Sequence, residues 1–261
     1  MTKVLSKDGT DIAFEQFGEG KPLILVVGAF NDRSTGAPLA AQLAPHFSVF
    51  TYDRRGRGES GDTAPYAVER EIEDLAALIA EAGGAAALFG YSSGANLALQ
   101  AAASGLPLTK LALYEAPYLV DHNGQQPRTH PNHAAQLSEL IAAGRRGDAV
   151  EYFQQHMVGI PEEVVVQMRR APFRPALEAI AHTLVYDATI LGDRSLPTEM
   201  AASVTVPTLV MAGGAGAPFM RATAQALADA LPNGQVCILE GQTHDIEPSV
   251  LGPVLQAFLA Q

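Results

Sequence analysis

The sequence predicts an α/β domain: a mostly parallel sheet of eight strands flanked by helices, with a helical cap inserted after the sixth strand. Three observations carry that prediction. Short apolar runs rich in Val, Ile and Leu alternate with stretches whose apolar residues recur at helical spacing, which is the signature of βαβ units and a parallel sheet. The alternation breaks once, from about Tyr118 to about Ser203, where the rhythm is helical throughout. The 261 residues, 48% of them apolar, are enough for one sizeable core. The expected division is therefore a core of residues 1–117 and 204–261 and a cap of residues 118–203.

Each element has its own signal. "KVLS" and "DIAFEQFG" read as the first two strands, and the Asp-Gly pair of the intervening "KDGT" makes them an antiparallel hairpin. "PLILVVG", "FSVFTYD", "AAALFG", "LTKLALYE", "PTLVMAGG" and "GQVCILEG" follow as strands three to eight. Between them "GAPLAAQLAPH", "AVEREIEDLAALIAEAG", "GANLALQAAASG" and "MRATAQALADALP" keep apolar residues at helical spacing and end near Gly or Pro. The cap segment holds "HAAQLSELIAAGRRGDAVEYFQQHMVG", "PEEVVVQMRRAP" and "ALEAIAHTLVYDATILG". A cap beyond the carboxyl ends of parallel strands would wall a ligand pocket.

Charge and composition narrow the function. Seventeen Lys and Arg against 28 Asp and Glu leave a formal charge of -11, which repels polyanions over most of the surface and argues against a nucleic-acid partner. The N-terminal "MTKVLSKDGTDIAF" has no apolar leader, and "PLILVVGAF" is too short to span a bilayer. The expectation is a cytoplasmic protein without a membrane span. The single cysteine, Cys237, lies in a predicted strand, so an internal disulfide and a thiolate metal cluster are both ruled out and a buried, inert thiol is expected.

The chemistry is concentrated at "LFGYSSGANL". Gly90, Ser92 and Gly94 match G-x-S-x-G between a predicted strand and a predicted helix, the setting of a nucleophile elbow. Ser92 is the residue displayed at such a turn. Ser93 follows at the helix N-terminus, where its backbone N–H can stabilise an oxyanion. A serine needs a base. Of seven histidines, His46 ends a predicted helix, while His122, His130, His133, His156 and His182 fall in the cap segment. Only His244, in "EGQTHDIEP", follows the last strand on the elbow's side of the sheet, and it is the expected general base. "HPNH" invites a metal reading through His130 and His133, but Pro131 spoils a helical pairing and no thiol or carboxylate stands nearby.

Taken together, "GYSSG" around Ser92, "DRRGRGES" from Asp53 to Ser60 and "GQTH" ending at His244 resemble the α/β-hydrolase family in its serine-nucleophile branch. The likeness spans essentially the whole chain. It implies the α/β-hydrolase fold and a second oxyanion N–H from the loop after the third strand. There "VVGAFND" carries Val27 where members often have histidine, and Ala29 inherits the donor's place.

The acid that orients the base departs from the family's usual place, because "MAGGAGAPFMR" after the seventh strand contains no Asp or Glu. Glu115, at the end of the sixth strand and next to "APY", is the expected substitute and preserves the order Ser, acid, His. Asp245 has poorer geometry, and Asp187 and Asp193 are expected to be solvated cap residues. A strand-end Glu with "SSGA" is also similar, over a short stretch, to zearalenone-type lactonases.

The arginines of "DRRGRGES", Arg54, Arg55 and Arg57, are expected to tie loops together or to meet Glu59 and Asp62. The resemblance implies a serine hydrolase that needs no cofactor and no metal and that cleaves a carboxylic ester or lactone of a small to medium apolar compound. Tyr118, Phe153, Met157, Val158, Phe173 and Tyr186 are among the expected pocket walls. Carbon–carbon bond hydrolysis or lysis by the same triad, and a ligand-binding receptor with vestigial activity, are the alternatives. A homodimer is left open.

Overall fold

The computed structural model of the protein describes residues 2–120 and 132–261. In chain order the elements are β1 (Thr2–Leu5), β2 (Asp11–Phe17), β3 (Lys21–Val26), α1 (Arg33–Leu43), β4 (Phe47–Tyr52), α2 (Val68–Glu81), β5 (Ala86–Tyr91), α3 (Ser93–Ala103) and β6 (Leu108–Tyr114). After β6 come α4 (His133–Ala142), α5 (Arg146–Tyr152), a π-helical turn (Phe153–Val158), α6 (Glu162–Met168), α7 (Arg174–Ala179), α8 (Thr183–Leu191) and α9 (Thr198–Ser203). The chain then returns to the sheet with β7 (Thr208–Gly213), α10 (Pro218–Ala230), β8 (Gly234–Leu239) and α11 (Pro248–Ala260).

One eight-stranded sheet runs in the order β1-β2-β4-β3-β5-β6-β7-β8. Strand β2 is antiparallel to both β1 and β4, and every later pairing is parallel. All six residues of β4, β5 and β7 are buried. That is why these strands read as continuous apolar runs: a parallel sheet is covered on both faces. One face packs against α2, α3 and α10 through Leu75, Leu78, Leu97 and Leu227, and the other against α1 and α11 through Leu39, Leu43, Leu255 and Phe258. The helical cap after β6 has its own cluster around Leu137, Val150, Phe153 and Leu184, and that cluster rests on Ala29 and Phe30 after β3.

The sheet explains where a ligand would go. The chain leaves β3 for β4 on one side and returns to β5 on the other. The carboxyl ends of β3 and β5 therefore flank the topological switch point, where open α/β sheets bind their ligands.

Local departures from the sequence reading have simple causes. Helix α1 starts three residues before the predicted "GAPLAAQLAPH", because Asp32 caps it by accepting the Ser34 N–H at 2.8 Å. It also ends at Leu43, so His46 sits in the turn before β4. Cys237 is a free thiol, half-buried rather than buried, because β8 lies at the sheet's edge. No helix among the described residues is long and apolar enough to cross a membrane.

Candidate active site

The elbow forms because β5 must reverse directly into α3 under the loop that leaves β3. Ser92 takes up the turn with φ 56° and ψ -128°, a positive-φ conformation that a non-glycine residue adopts only when its surroundings enforce it. The flanking glycines make room for it. A Cβ on Gly90 would lie 2.6 Å from Ala95 Cα, and one on Gly94 would run into the Val26 carbonyl. Gly94→Ala is therefore expected to cost about 3 kcal/mol or more, measured as a lowered urea midpoint or as loss of soluble protein.

Five residues named from the sequence, Ala29, Ser92, Ser93, Glu115 and His244, line one cavity of about 480 Å³ between the sheet end and the cap. Ser92 N–H donates to the Tyr114 carbonyl at 3.0 Å, which ties the elbow to β6. On the other side Gly28 touches it, since a Cβ there would fall 2.8 Å from Ser92 Cβ. Among the described residues no protein acceptor takes the backbone N–H of Ala29 or of Ser93.

Glu115 follows β6 directly. Its N–H donates to the Met211 carbonyl of β7 at 3.0 Å, and its φ of 56° turns the side chain off the strand. One carboxylate oxygen accepts the Gly213 N–H at 2.7 Å, and the other lies 3.1 Å from His244 Nδ1. This carboxylate is almost wholly buried, whereas the imidazole is 42% exposed toward the cavity. With Nδ1 held by Glu115, Nε2 is the nitrogen free to take a proton. Among the described residues Glu115 makes no ion pair with a loop arginine; Asp245 is exposed.

The His244 loop has anchors that the sequence reading missed. The Tyr114 hydroxyl donates to the Thr243 carbonyl at 2.5 Å, and Tyr91 packs its ring 5.1 Å from the imidazole. Gly213 lets the loop lie against β7, because a Cβ there would meet the Thr243 carbonyl at 2.7 Å.

Asp187 corrects an expectation. It is not solvated but completely buried, and it accepts from Arg54 at 2.7 Å, from Arg57 at 2.5 Å and from the Ser93 hydroxyl at 2.8 Å. The arginines do tie loops together, but through partners other than Glu59 and Asp62. Arg54 also pairs with Glu71, Arg55 with Asp74 and Asp8, and Arg57 donates to the Gly28 and Asn31 carbonyls. Helix α8 of the cap is thereby linked to the loop that carries Ala29.

Burial alone would raise the Asp187 pKa, but the Arg57 and Arg54 charges outweigh it and hold the carboxyl below the usual aspartate range. Its contribution to stability is complete at neutral pH and is lost as the pH falls through that lowered value. Asp187→Ala leaves Arg57 without its carboxylate, and we expect a loss of about 3 to 5 kcal/mol, read by urea denaturation.

The other histidines lie elsewhere. His182 sits 3.3 Å from Asp62, His133 Nδ1 meets the Tyr152 hydroxyl at 3.0 Å, and His156 packs on Tyr152. His122 and His130 lie outside the described residues. Phe153, Met157, Val158 and Phe173 line the cavity as expected, but Tyr118 and Tyr186 do not. Tyr186 stacks on Tyr66 and donates to Asp62, while Tyr118 is buried beneath α10, where its carbonyl accepts from Thr223.

The chain belongs to the alpha/beta hydrolase family, whose sequence model matches residues 23–251. It is similar to an alpha/beta hydrolase of known structure from Sphaerobacter thermophilus, with 56% identity, a TM-score of 0.91 and coverage of 99% of this chain and 100% of that one. It is also 27% identical over 235 residues to a pimeloyl-[acyl-carrier protein] methyl ester esterase of Xanthomonas campestris pv. campestris, covering 87% of this chain and 89% of that protein. An N-formylmaleamate deformylase of Pseudomonas putida is 32% identical over 143 residues, and there the chain spans about half the relative's length (52% of each).

Proposed function

We propose that the protein is a serine hydrolase that cleaves a carboxylic ester or lactone of a small to medium substrate through an acyl-enzyme. The observation that carries this reading is the gathering of Ser92, His244 and Glu115 in the wall of one mostly apolar cavity, with a strained serine and a carboxylate on Nδ1 of the imidazole. In the proposed mechanism Ser92 Oγ attacks the carbonyl carbon while His244 Nε2 takes its proton. The Ala29 and Ser93 N–H groups hold the oxyanion. Glu115 accepts from Nδ1–H and stabilises the imidazolium. His244 then gives the proton to the leaving alkoxide, and water, deprotonated by the same nitrogen, releases the acid.

Two further points support the reading. The receptor alternative drew on the lack of an acid after β7, and Glu115 supplies a carboxylate at the position that acid would serve. The Xanthomonas relative, aligned over most of both chains, is named an esterase of a methyl ester. With this function goes the proposed division into a core of residues 1–117 and 204–261 and a cap of residues 118–203, acting in the cytoplasm.

Intact-mass spectrometry after exposure to a fluorophosphonate tests the proposal. One adduct on the folded protein, with turnover of p-nitrophenyl and lactone substrates, is the expected result. A folded protein with no adduct and no turnover overturns it.

A further inference from the structure

We infer that the pocket selects substrates carrying a carboxylate remote from the scissile bond, and that the guanidinium of Arg194 binds it. The inference rests on the ester-hydrolase reading of the same cavity and adds the substrate's charge. The cavity wall is mostly apolar, with Phe153, Met157, Ile160 and Phe173 among its residues, yet Arg194 stands in it.

The other buried arginines show what is unusual about Arg194. Arg54, Arg55, Arg57 and Arg174 each hold at least one carboxylate: Glu71 and Asp187, Asp74 and Asp8, Asp187, and Glu151 and Glu178 respectively. Arg194 holds none among the described residues. Its Nε donates to the Pro117 carbonyl at 3.0 Å and its Nη1 to the Met157 carbonyl at 3.1 Å. A guanidinium has five N–H donors, so those on Nη2 and one on Nη1 are left without an acceptor among the described residues. Burial lowers its pKa to about 10, which still leaves it charged at neutral pH. A buried cation without a counter-charge is costly unless a ligand pairs with it.

The surroundings hold that charge in place. Arg194 itself has φ 61°, and its carbonyl accepts the Leu119 N–H at 2.8 Å, so the side chain is presented from a strained, fixed turn after α8. The Met157 carbonyl comes from the π-helical turn, a geometry that recurs at functional sites. The same turn puts Gln154 in the cavity wall, 3% exposed, with an Oε1 that has no hydrogen-bond partner among the described residues. Among the described residues Glu115 is the one acidic residue of the wall, and it is engaged by Gly213 and His244. A carboxylate can pair with the Arg194 donors that have no acceptor among the described residues, those on Nη2 and one on Nη1, since guanidinium and carboxylate are matched partners.

The test compares monomethyl succinate, glutarate and adipate with methyl butanoate, pentanoate and hexanoate, following acid release by wild type, Arg194→Gln and Arg194→Lys. At the best-fitting length the wild type is expected to favour the acid-ended ester about 10- to 100-fold in kcat/KM. Arg194→Gln should collapse that ratio, mainly through KM, and Arg194→Lys should keep part of it. Equal wild-type kcat/KM for both series, or an equal loss on both in Arg194→Gln, overturns the inference and leaves Arg194 a clamp on two carbonyls. Thermal stabilisation by free adipate but not hexanoate, lost in Arg194→Gln, supports the anion site even in a protein that turns over neither series. The hydrolase reading is decided separately, by the fluorophosphonate adduct and by turnover of p-nitrophenyl and lactone substrates.

Discussion

Ser92→Ala is expected to lower kcat on a p-nitrophenyl ester by roughly 10⁶-fold, the loss seen when a triad nucleophile is removed, and to abolish the fluorophosphonate adduct. The fold should survive. Alanine meets the same positive-φ backbone that serine already tolerates at φ 56°, and among the described residues Ser92 Oγ holds no hydrogen-bond partner on which packing depends. Thermal melting beside steady-state rates separates the two effects. Retention of turnover in a clean Ser92→Ala preparation would move the nucleophile elsewhere and dissolve the proposed mechanism.

Glu115→Gln should lower kcat by about 10⁴-fold, as when an amide replaces the acid of such a triad. The side-chain carbonyl of the new amide could still accept the Gly213 N–H, so the strand ends should stay joined and the cost should fall on the imidazole. An amide cannot stabilise the imidazolium, and its NH₂ group turned toward Nδ1 favours the wrong tautomer. Asp245→Asn serves as the control. Asp245 is exposed, and its replacement should leave kcat near the wild-type value. Comparable losses at Asp245 with none at Glu115 would reverse the assignment of the acid.

Much of this was legible in the chain. The inner strands β4, β5 and β7 could be read because parallel strands buried on both faces have to be apolar runs, the first two because an Asp-Gly turn joins them, and the insertion because strand signals stop between Glu115 and Thr208. Glu115 could be picked out because β6 lies between the elbow strand and β7, so its end reaches both. Asp187 was misread although a signal existed: Leu184, Asp187, Ala188 and Leu191 share one helical stripe, which marks the aspartate as buried. Its partners Arg54 and Arg57 lie about 130 residues away, and no local pattern names them.

Arg194 and Gln154 were invisible for a different reason. An arginine in a polar turn reads as solvated until a second segment folds across it, and the cavity that exposes its donors is made by the π-helical turn. The extra residue in that turn shifts Phe153, Gln154 and Met157 off the ordinary helical register. Helical periodicity therefore does not place Gln154 in the wall beside Phe153 and Met157, which were expected there.

The position of Glu115 has a consequence for how such a pocket can be remodelled. With the carboxylate seated after β6, the loop after β7 carries none of the proposed catalytic side chains, and its ties to the His244 loop end at Gly213, Gly214 and Ala215, whose N–H donates to the Gln242 carbonyl at 2.9 Å. From Gly216 onward the segment leads into Ala217, Phe219 and Met220, all in the cavity wall. Chemistry and substrate fit are thus written on separate stretches of chain. This loop could be rewritten to reshape the cavity without touching Ser92, His244 or Glu115.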